Sequence, residues 1–126
     1  MGLDTIHHVH ADDLGQLFEA TLTHRHASLG ESFNGVSARA LSLLGCCEFV
    51  AHLFGREPNL AFADDAGMTQ AMGAEAWGIT REHITHSPCC SIEQGQRLLG
   101  YAPRFTTEEI YVESIEYLLE SGQLVV

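Results

Sequence analysis

The spacing of apolar and polar positions predicts strands that alternate with helices along the first half of the chain. A short run of β-branched residues at positions 5–10 predicts a strand, and apolar residues at helical spacing predict a helix over 14–24. Two more strands are predicted at 31–36 and 59–63. A helix over residues 37–53 is predicted between them.

The second half of the chain is predicted to be mostly helical. A weak helix that contains two glycines is predicted over residues 64–77, followed by a loop at 78–88 with an extended stretch at 81–85. A short helix at 91–100 and a long amphipathic helix at 106–122 complete the pattern.

Three pairs of residues have the spacing of a capping box, in which two side chains three residues apart satisfy N–H groups at a helix start. The pairs are Asp13 with Gln16, Ser91 with Gln94, and Thr106 with Glu109. Ser37 is the predicted cap of the helix over 37–53. Glycines at Gly55, Gly100 and Gly122 are predicted to end three of the helices.

The alternation of strands and helices predicts an α/β fold, a small mixed domain of three or so short strands with several packed helices. At 126 residues and 45% apolar content, the chain is expected to form one domain that buries roughly two thirds of its unfolded surface. No glycine-rich turn of the dinucleotide type follows a predicted strand, so the Rossmann dinucleotide-binding half is expected to be absent.

The net charge of the chain limits the classes of molecule that it is expected to bind. Formal net charge is −11, and all six basic residues are arginines, so the chain contains no lysine. A field of this sign repels phosphate backbones and anionic lipid surfaces, so we expect neither nucleic acid nor a membrane as a partner. The N-terminal residues have no basic stretch and no apolar core of a secretory signal, which predicts a cytoplasmic location.

The four cysteines form two adjacent pairs, Cys46-Cys47 and Cys89-Cys90. Adjacent cysteines rarely bridge each other, and disulfides between the pairs require an oxidising compartment, so buried or unreactive thiols are expected. A Cys–His nucleophile at Cys90, placed just before a predicted helix, is an alternative. The acidic chain opposes the electropositive setting that a reactive thiolate needs.

A metal site is a second alternative, because the chain has eight histidines. The potential ligands are His7, His8 and His10 on the predicted first strand, and His83, His86, Cys89 and Cys90 near the second cysteine pair. Structural zinc sites usually pair ligands two to four residues apart on turns, which adjacent cysteines do not match. We therefore expect no metal.

Three segments have the form of motifs that occur, in the same order, in one enzyme family. Residues 8–14 (HVHADDL) are similar to its (V/I)HVxDL segment, and residues 31–36 (ESFNGV) to its GevfNvg strand. Residues 86–104, which end in LLGYAPR, are similar to its hsp..d..ka..LGy.Pr segment. By these motifs the chain resembles extended short-chain dehydrogenases/reductases of the NAD-dependent epimerase/dehydratase family, over nearly its whole length.

The resemblance implies that residues 1–126 form the C-terminal, substrate-binding part of such an enzyme. In that family a Rossmann half binds NAD or NADP and carries the catalytic Tyr-x-x-x-Lys pair. A chain without lysine cannot hold that pair, so no catalytic or cofactor-binding residue is expected here and the chain alone is expected to be inactive. The intact enzyme would move hydride between NAD(P) and a sugar carbon, as an epimerase, dehydratase or dehydrogenase.

The resemblance also implies three substrate-binding residues. Arg81 falls about where family members place an arginine on the substrate's diphosphate, and a guanidinium can bind phosphate oxygens bidentately. His10 and Asn34 lie in the first two motifs, although Asn34 can instead close the exit of its predicted strand. Asp13 is expected to be a helix cap rather than a ligand. Ile6 stands where epimerases usually carry a second arginine, which leaves room for a sugar acid or an unactivated sugar.

The expected partners are a sugar or nucleotide-sugar substrate and the Rossmann half of the same enzyme. Separated from that half, the fold would expose an apolar face, and exposed patches of several hundred Å² usually find a partner. Self-association through that face is therefore expected. A free-standing, non-catalytic binding or interaction module is the alternative function, and a His/Cys metal-binding domain is a further one.

Overall fold

A computed structural model of the chain describes residues 3–126. Within these residues lie seven helices and a two-stranded antiparallel sheet. In chain order the elements are β1 (Thr5–Ile6), α1 (Ala11–Thr23), α2 (Arg25–Ser28), β2 (Leu41–Ser42), α3 (Leu43–Leu53), α4 (Asp65–Met72), α5 (Ala74–Thr85), α6 (Glu93–Leu99) and α7 (Thr107–Glu120). The chain is therefore a small mixed α/β protein in which helix predominates. Along residues 3–126, no helix is both long enough and apolar enough to cross a membrane.

The chain divides into two compact units. The first unit combines the segment that ends at Ile6 with Leu41–Pro88, and the second combines His7–Ala40 with Cys89–Val126. The first unit therefore contains the sheet and helices α3 to α5, and the second contains α1, α2, α6 and α7.

The first unit is organised around the pairing of β1 with β2. Thr5 lies opposite Ser42 and Ile6 opposite Leu41 in antiparallel register. Ser42 then caps α3, because its hydroxyl accepts the N–H of Gly45 at 3.0 Å. Thr5 also donates its hydroxyl to the carbonyl of Pro88 at 2.9 Å, which anchors the end of this unit to its sheet.

Three predictions for the first unit are wrong. Residues 59–63 form no strand, because β-branched or apolar character does not itself supply a neighbouring strand to pair with. Helix α3 begins at Leu43 rather than at 37, since Ser42 is the cap. The segment predicted as a loop at 78–88 is helical as far as Thr85, because the interior glycine Gly78 costs a helix only about 1 kcal/mol.

The core of the second unit lies between α1 and α6. Its buried members are Leu17, Ile92, Leu99 and Tyr101, and Ala20, Phe33, Val36 and Leu98 pack against them. Apolar residues at helical spacing predicted α1, whereas α6 was predicted from the Ser91–Gln94 spacing and from Gly100 as its end. Burial of the apolar faces of both helices is the main favourable term for the unit.

Several predictions for the second unit are also wrong. Residues 31–36 form no strand, and the strand predicted at 5–10 is limited to Thr5–Ile6 in the first unit. Ser37, predicted as a helix cap, is instead buried, with its Oγ 2.8 Å from Thr107 Oγ1. The Arg39 carbonyl lies 2.9 Å from Ser37 Oγ and 2.7 Å from Thr107 Oγ1, so the two hydroxyls and this carbonyl form one hydrogen-bonded group inside the unit, where a lone polar group would be costly.

Of the three predicted capping boxes, one is confirmed. Thr106 and Glu109 satisfy each other's backbone N–H groups at the start of α7, and these hydrogen bonds from Thr106 hold the pKa of Glu109 below its usual value. At α6 the N-cap is Ile92, although the Ser91 hydroxyl still accepts the N–H of Glu93. At α1 the N-cap is His10 rather than Asp13.

Candidate functional site

Arg81 lies on α5 in the first unit, with an exposed side chain. Its Nε is 3.4 Å from Oδ2 of Asp65 on α4, and both side chains are more than half exposed. An exposed ion pair of this kind contributes little free energy, so a ligand anion can replace the Asp65 carboxylate beside Arg81 at little cost. The guanidinium can therefore bind a phosphate or carboxylate group of a ligand.

His10 begins α1 in the second unit, where both of its ring nitrogens form hydrogen bonds. Nδ1 lies 3.1 Å from the backbone nitrogen of Asp12, which can only donate, so Nδ1 accepts. The proton of the neutral ring is then on Nε2, which donates to Oε2 of Glu113 at 2.7 Å. Phe105 stacks on the ring, with 3.8 Å between centroids. His10 therefore positions other groups and has no lone pair left for proton abstraction.

A surface groove of about 490 Å³ lies beside His10. Its lining includes His10, Glu113, Ser114 and Tyr117, together with apolar side chains from α1 and α7. The Tyr117 ring is 63% exposed, so its face is accessible from solvent. A carboxylate, a hydroxyl and an aromatic face can together contact the hydroxyls and apolar face of a small polar ligand.

Asn34 lies in an irregular segment of the second unit, where its side chain is exposed. Its Nδ2 donates to the carbonyl of Ser91 at 2.9 Å and so ties this segment to the start of α6. This contact differs from the expected closure of a strand exit, because residues 31–36 form no strand and Ser91 is 57 residues away in sequence. Its Oδ1 is the atom that could accept a hydrogen bond from a ligand.

Asp13, which was predicted to be a helix cap, is instead fully buried within α1. Its Oδ2 accepts the backbone N–H groups of Arg104 and Phe105, each at 3.0 Å, and its Oδ1 lies 3.4 Å from Arg104 Nε. Burial raises the pKa of this carboxyl, but the hydrogen bonds from Phe105 and Arg104 outweigh burial and lower it. The partners are 91 and 92 residues away in sequence, so no local spacing could indicate them.

Tyr101 connects the last motif to the second one. Its side chain is 2% exposed, and its hydroxyl donates to the carbonyl of Val36 at 3.0 Å. Gly100, in the left-handed region at φ 69°, ends α6 and turns the chain so that Tyr101 enters the core. Gly35 of the second motif packs closely against Leu14 of the first. A Cβ at position 35 would lie only 2.7 Å from Leu14 Cδ1, so this approach requires glycine. The three motif segments thus meet in one unit.

The cysteines and histidines lie in different settings. Cys46 is buried on α3, whereas Cys47, Cys89 and Cys90 are exposed. The backbone N–H of Cys90 donates to His7 Nδ1 at 3.1 Å, so this histidine contacts the main chain at Cys90. Across the described part of the chain, residues 3–126, no group of three or more His, Cys, Asp or Glu side chains is arranged to hold a metal ion.

No protein-family model, curated protein or solved structure matches this chain.

Proposed function

We propose that this chain is the substrate-binding part of an NAD(P)-dependent sugar epimerase, dehydratase or dehydrogenase of the extended short-chain type. The observation that carries the proposal is that the three motifs, distant in sequence, interlock in the second unit. Asp13 of the first motif accepts the backbone N–H of Arg104, the last residue of the third, and the Tyr101 hydroxyl of the third donates to the carbonyl of Val36 in the second. Residues that form one structural unit are expected to appear together in a family's sequence pattern.

In this proposal the chain binds and orients substrate, and the chemistry belongs to NAD(P) and to residues of a Rossmann half. On the first unit, Arg81 binds an anionic group such as the diphosphate of a nucleotide sugar or the carboxylate of a sugar acid. On the second unit, taken by itself, Asn34 Oδ1 accepts a hydrogen bond from a ligand hydroxyl, and His10 positions Glu113 at the groove. Binding energy from the unreactive part of the substrate then serves to orient its reacting carbon. We propose a cytoplasmic location for the enzyme, in keeping with the acidic chain.

Titration of the chain with a UDP-sugar, and separately with a hexuronic acid, tests the role of Arg81. We expect Arg81→Ala to weaken binding about ten- to a hundredfold, because a hydrogen bond to a charged group contributes about 1.5–3 kcal/mol. Calorimetry would measure the dissociation constants, and NMR would report which backbone amides shift. NAD is expected to bind neither the parent chain nor the variant.

Arg56→Ala is the matched control, because Arg56 is an exposed arginine of the same unit and its loss changes net charge equally. Its dissociation constants should stay within about twofold of the parent's, since the loss of one exposed charge that does not contact the ligand is largely screened. If both variants weaken binding equally, the loss of affinity reflects the change in net charge and not a specific contact of Arg81. No saturable binding of either ligand by the parent chain would contradict the proposed substrate class.

A non-catalytic interaction module is the second candidate, and exposed apolar side chains on the second unit favour it. Phe18 and Leu22 are 64% and 77% exposed one turn apart on α1, and Leu29 is 74% exposed. Side chains of this size in one region are typical of an interface. We propose that this face mediates self-association.

Sedimentation velocity at tens of micromolar is expected to show a species heavier than the 13.8 kDa monomer. The double variant Phe18→Ser, Leu22→Ser should shift the chain to the monomer, because it removes apolar area that association would bury. Val125→Ser, at an 88% exposed apolar position near the C-terminus, should leave the distribution unchanged. A strictly monomeric parent chain would contradict self-association.

A further inference from the structure

We propose that Cys89 and Cys90 form a binding site for a trivalent, thiophilic metalloid, of which arsenite and aryl arsenoxides are the simplest examples. Both side chains are exposed, so both sulfur atoms are accessible without unfolding. They belong to adjacent residues, so a single peptide unit fixes the distance between their Cα atoms. Two thiols on neighbouring exposed residues can supply two ligands to one centre.

Two hydrogen bonds hold the backbone at Cys90 and at the residue that follows it. The N–H of Cys90 donates to His7 Nδ1 at 3.1 Å, and the carbonyl of Ser91 accepts from Asn34 Nδ2 at 2.9 Å. The main chain is therefore ordered before a ligand arrives, and only the side-chain torsions of the two cysteines need to adjust. Ordering in advance reduces the entropy lost on binding.

The other adjacent pair provides an internal comparison. Cys46 and Cys47 lie on α3. Cys46 is 5% exposed, whereas Cys47 is exposed. A ligand on Cys47 would therefore reach Cys46 only if the helix opened. We therefore expect the Cys89-Cys90 pair to bind the metalloid and the Cys46-Cys47 pair not to bind it.

The chemistry requires no oxidant and no change of oxidation state. An aryl arsenoxide, R–As=O, condenses with two thiols to give R–As(S–Cys)₂ and water. Two As–S bonds form, two S–H bonds break, and the two protons leave on the oxygen while arsenic stays trivalent. Arsenous acid and arsenoxides are neutral, so the chain's net charge of −11 does not repel them. After the first bond forms, the second thiol reacts intramolecularly at a high effective concentration.

Phenylarsine oxide titration of the reduced chain tests this site, with intact-mass measurement and a count of remaining reactive thiols. We expect one arsenical per chain and the loss of two thiols, reversed by a small dithiol but not by a monothiol. The single variants Cys89→Ser and Cys90→Ser should each weaken binding at least about a hundredfold, because each removes the chelate. Both positions are exposed, so both variants are expected to fold.

Cys47→Ser is the control, and it should keep the one-to-one adduct with unchanged affinity. The proposal is overturned if the parent chain forms no stable adduct, or if the adduct persists in Cys89→Ser and Cys90→Ser. Loss of the adduct in Cys47→Ser would place the site on α3 and would also overturn it. Each outcome is independent of sugar binding, so failure here leaves the enzyme proposal unaffected.

Discussion

Replacement of Asp13 with alanine is expected to lower the free energy of unfolding by about 3–5 kcal/mol, the range for breaking a buried, hydrogen-bonded charge pair. The carboxylate is fully buried and accepts the backbone N–H groups of Arg104 and Phe105. Alanine would leave both N–H groups without an acceptor and would leave a cavity between α1 and the segment before α7. Urea unfolding followed by circular dichroism would measure the change.

Asp12→Ala is the matched control, because it removes the neighbouring carboxylate from the same helix turn. Asp12 is 67% exposed, with its Oδ2 3.6 Å from Arg104 Nη2, so its loss is expected to cost less than about 1 kcal/mol. Equal effects of the two variants would contradict the structural role assigned to Asp13. A variant that fails to express folded protein is replaced by Asp13→Asn, which keeps the side-chain volume and removes the charge.

The pH dependence of stability provides a second readout for Asp13. Its pKa in the folded chain lies below the usual value of about 3.9, although burial opposes that shift. A group with a lowered folded pKa stabilises the fold above its unfolded pKa, and that contribution is lost as pH falls through the folded value. The parent chain should therefore lose stability below about pH 4, and Asp13→Asn should show a smaller loss over that range.

Local signals predicted the helices whose ends depend on nearby residues. The Thr106–Glu109 capping box fixes the start of α7, and Gly100 ends α6 in the left-handed conformation that glycine adopts without strain. Each of those features depends on residues within one helical turn, so it can be predicted from the local sequence alone. The regular apolar spacing of α1 made that helix predictable in the same way.

Contacts between distant residues were not predictable from spacing. The expected strands at 31–36 and 59–63 have apolar character but no pairing partner, and pairing is decided by the rest of the fold. Asp13 matched the local pattern of a helix cap, yet His10 takes that position. Its backbone partners are Arg104, the last residue of the LLGYAPR segment, and Phe105 directly after it, and nothing in the spacing of either segment shows that the two touch.

Replacement of Tyr101 with alanine is the second large effect, with an expected loss of about 3–5 kcal/mol in the free energy of unfolding, the range for truncating a buried aromatic. The ring is 2% exposed and belongs to the core with Leu17, Ile92 and Leu99. Truncation to alanine would remove apolar contacts with all three and would leave a cavity. The hydrogen bond from its hydroxyl to Val36 would also be lost.

Tyr101→Phe separates the ring from the hydroxyl, and it is expected to cost about 1 kcal/mol because only the hydrogen bond to Val36 is lost. Burial and the nearby Asp13 carboxylate raise the pKa of Tyr101, so the folded chain opposes its ionisation. Stability conferred this way is present below the unfolded pKa of about 10 and is lost as pH rises through the folded value. The phenylalanine variant should therefore lose less stability above pH 10 than the parent chain does.

Tyr117→Ala is the control for both Tyr101 variants, because the Tyr117 ring is 63% exposed on α7. Its expected cost is within about 0.5 kcal/mol, as for most surface substitutions. Thermal unfolding of the four proteins at neutral and alkaline pH would separate the contributions. If Tyr101→Ala and Tyr117→Ala lower the free energy of unfolding equally, Tyr101 is not buried as described. The contact between the LLGYAPR segment and Val36, which joins the second and third motifs, would then also be contradicted. If only Tyr101→Ala is severe, the motif segments form a single cooperative core.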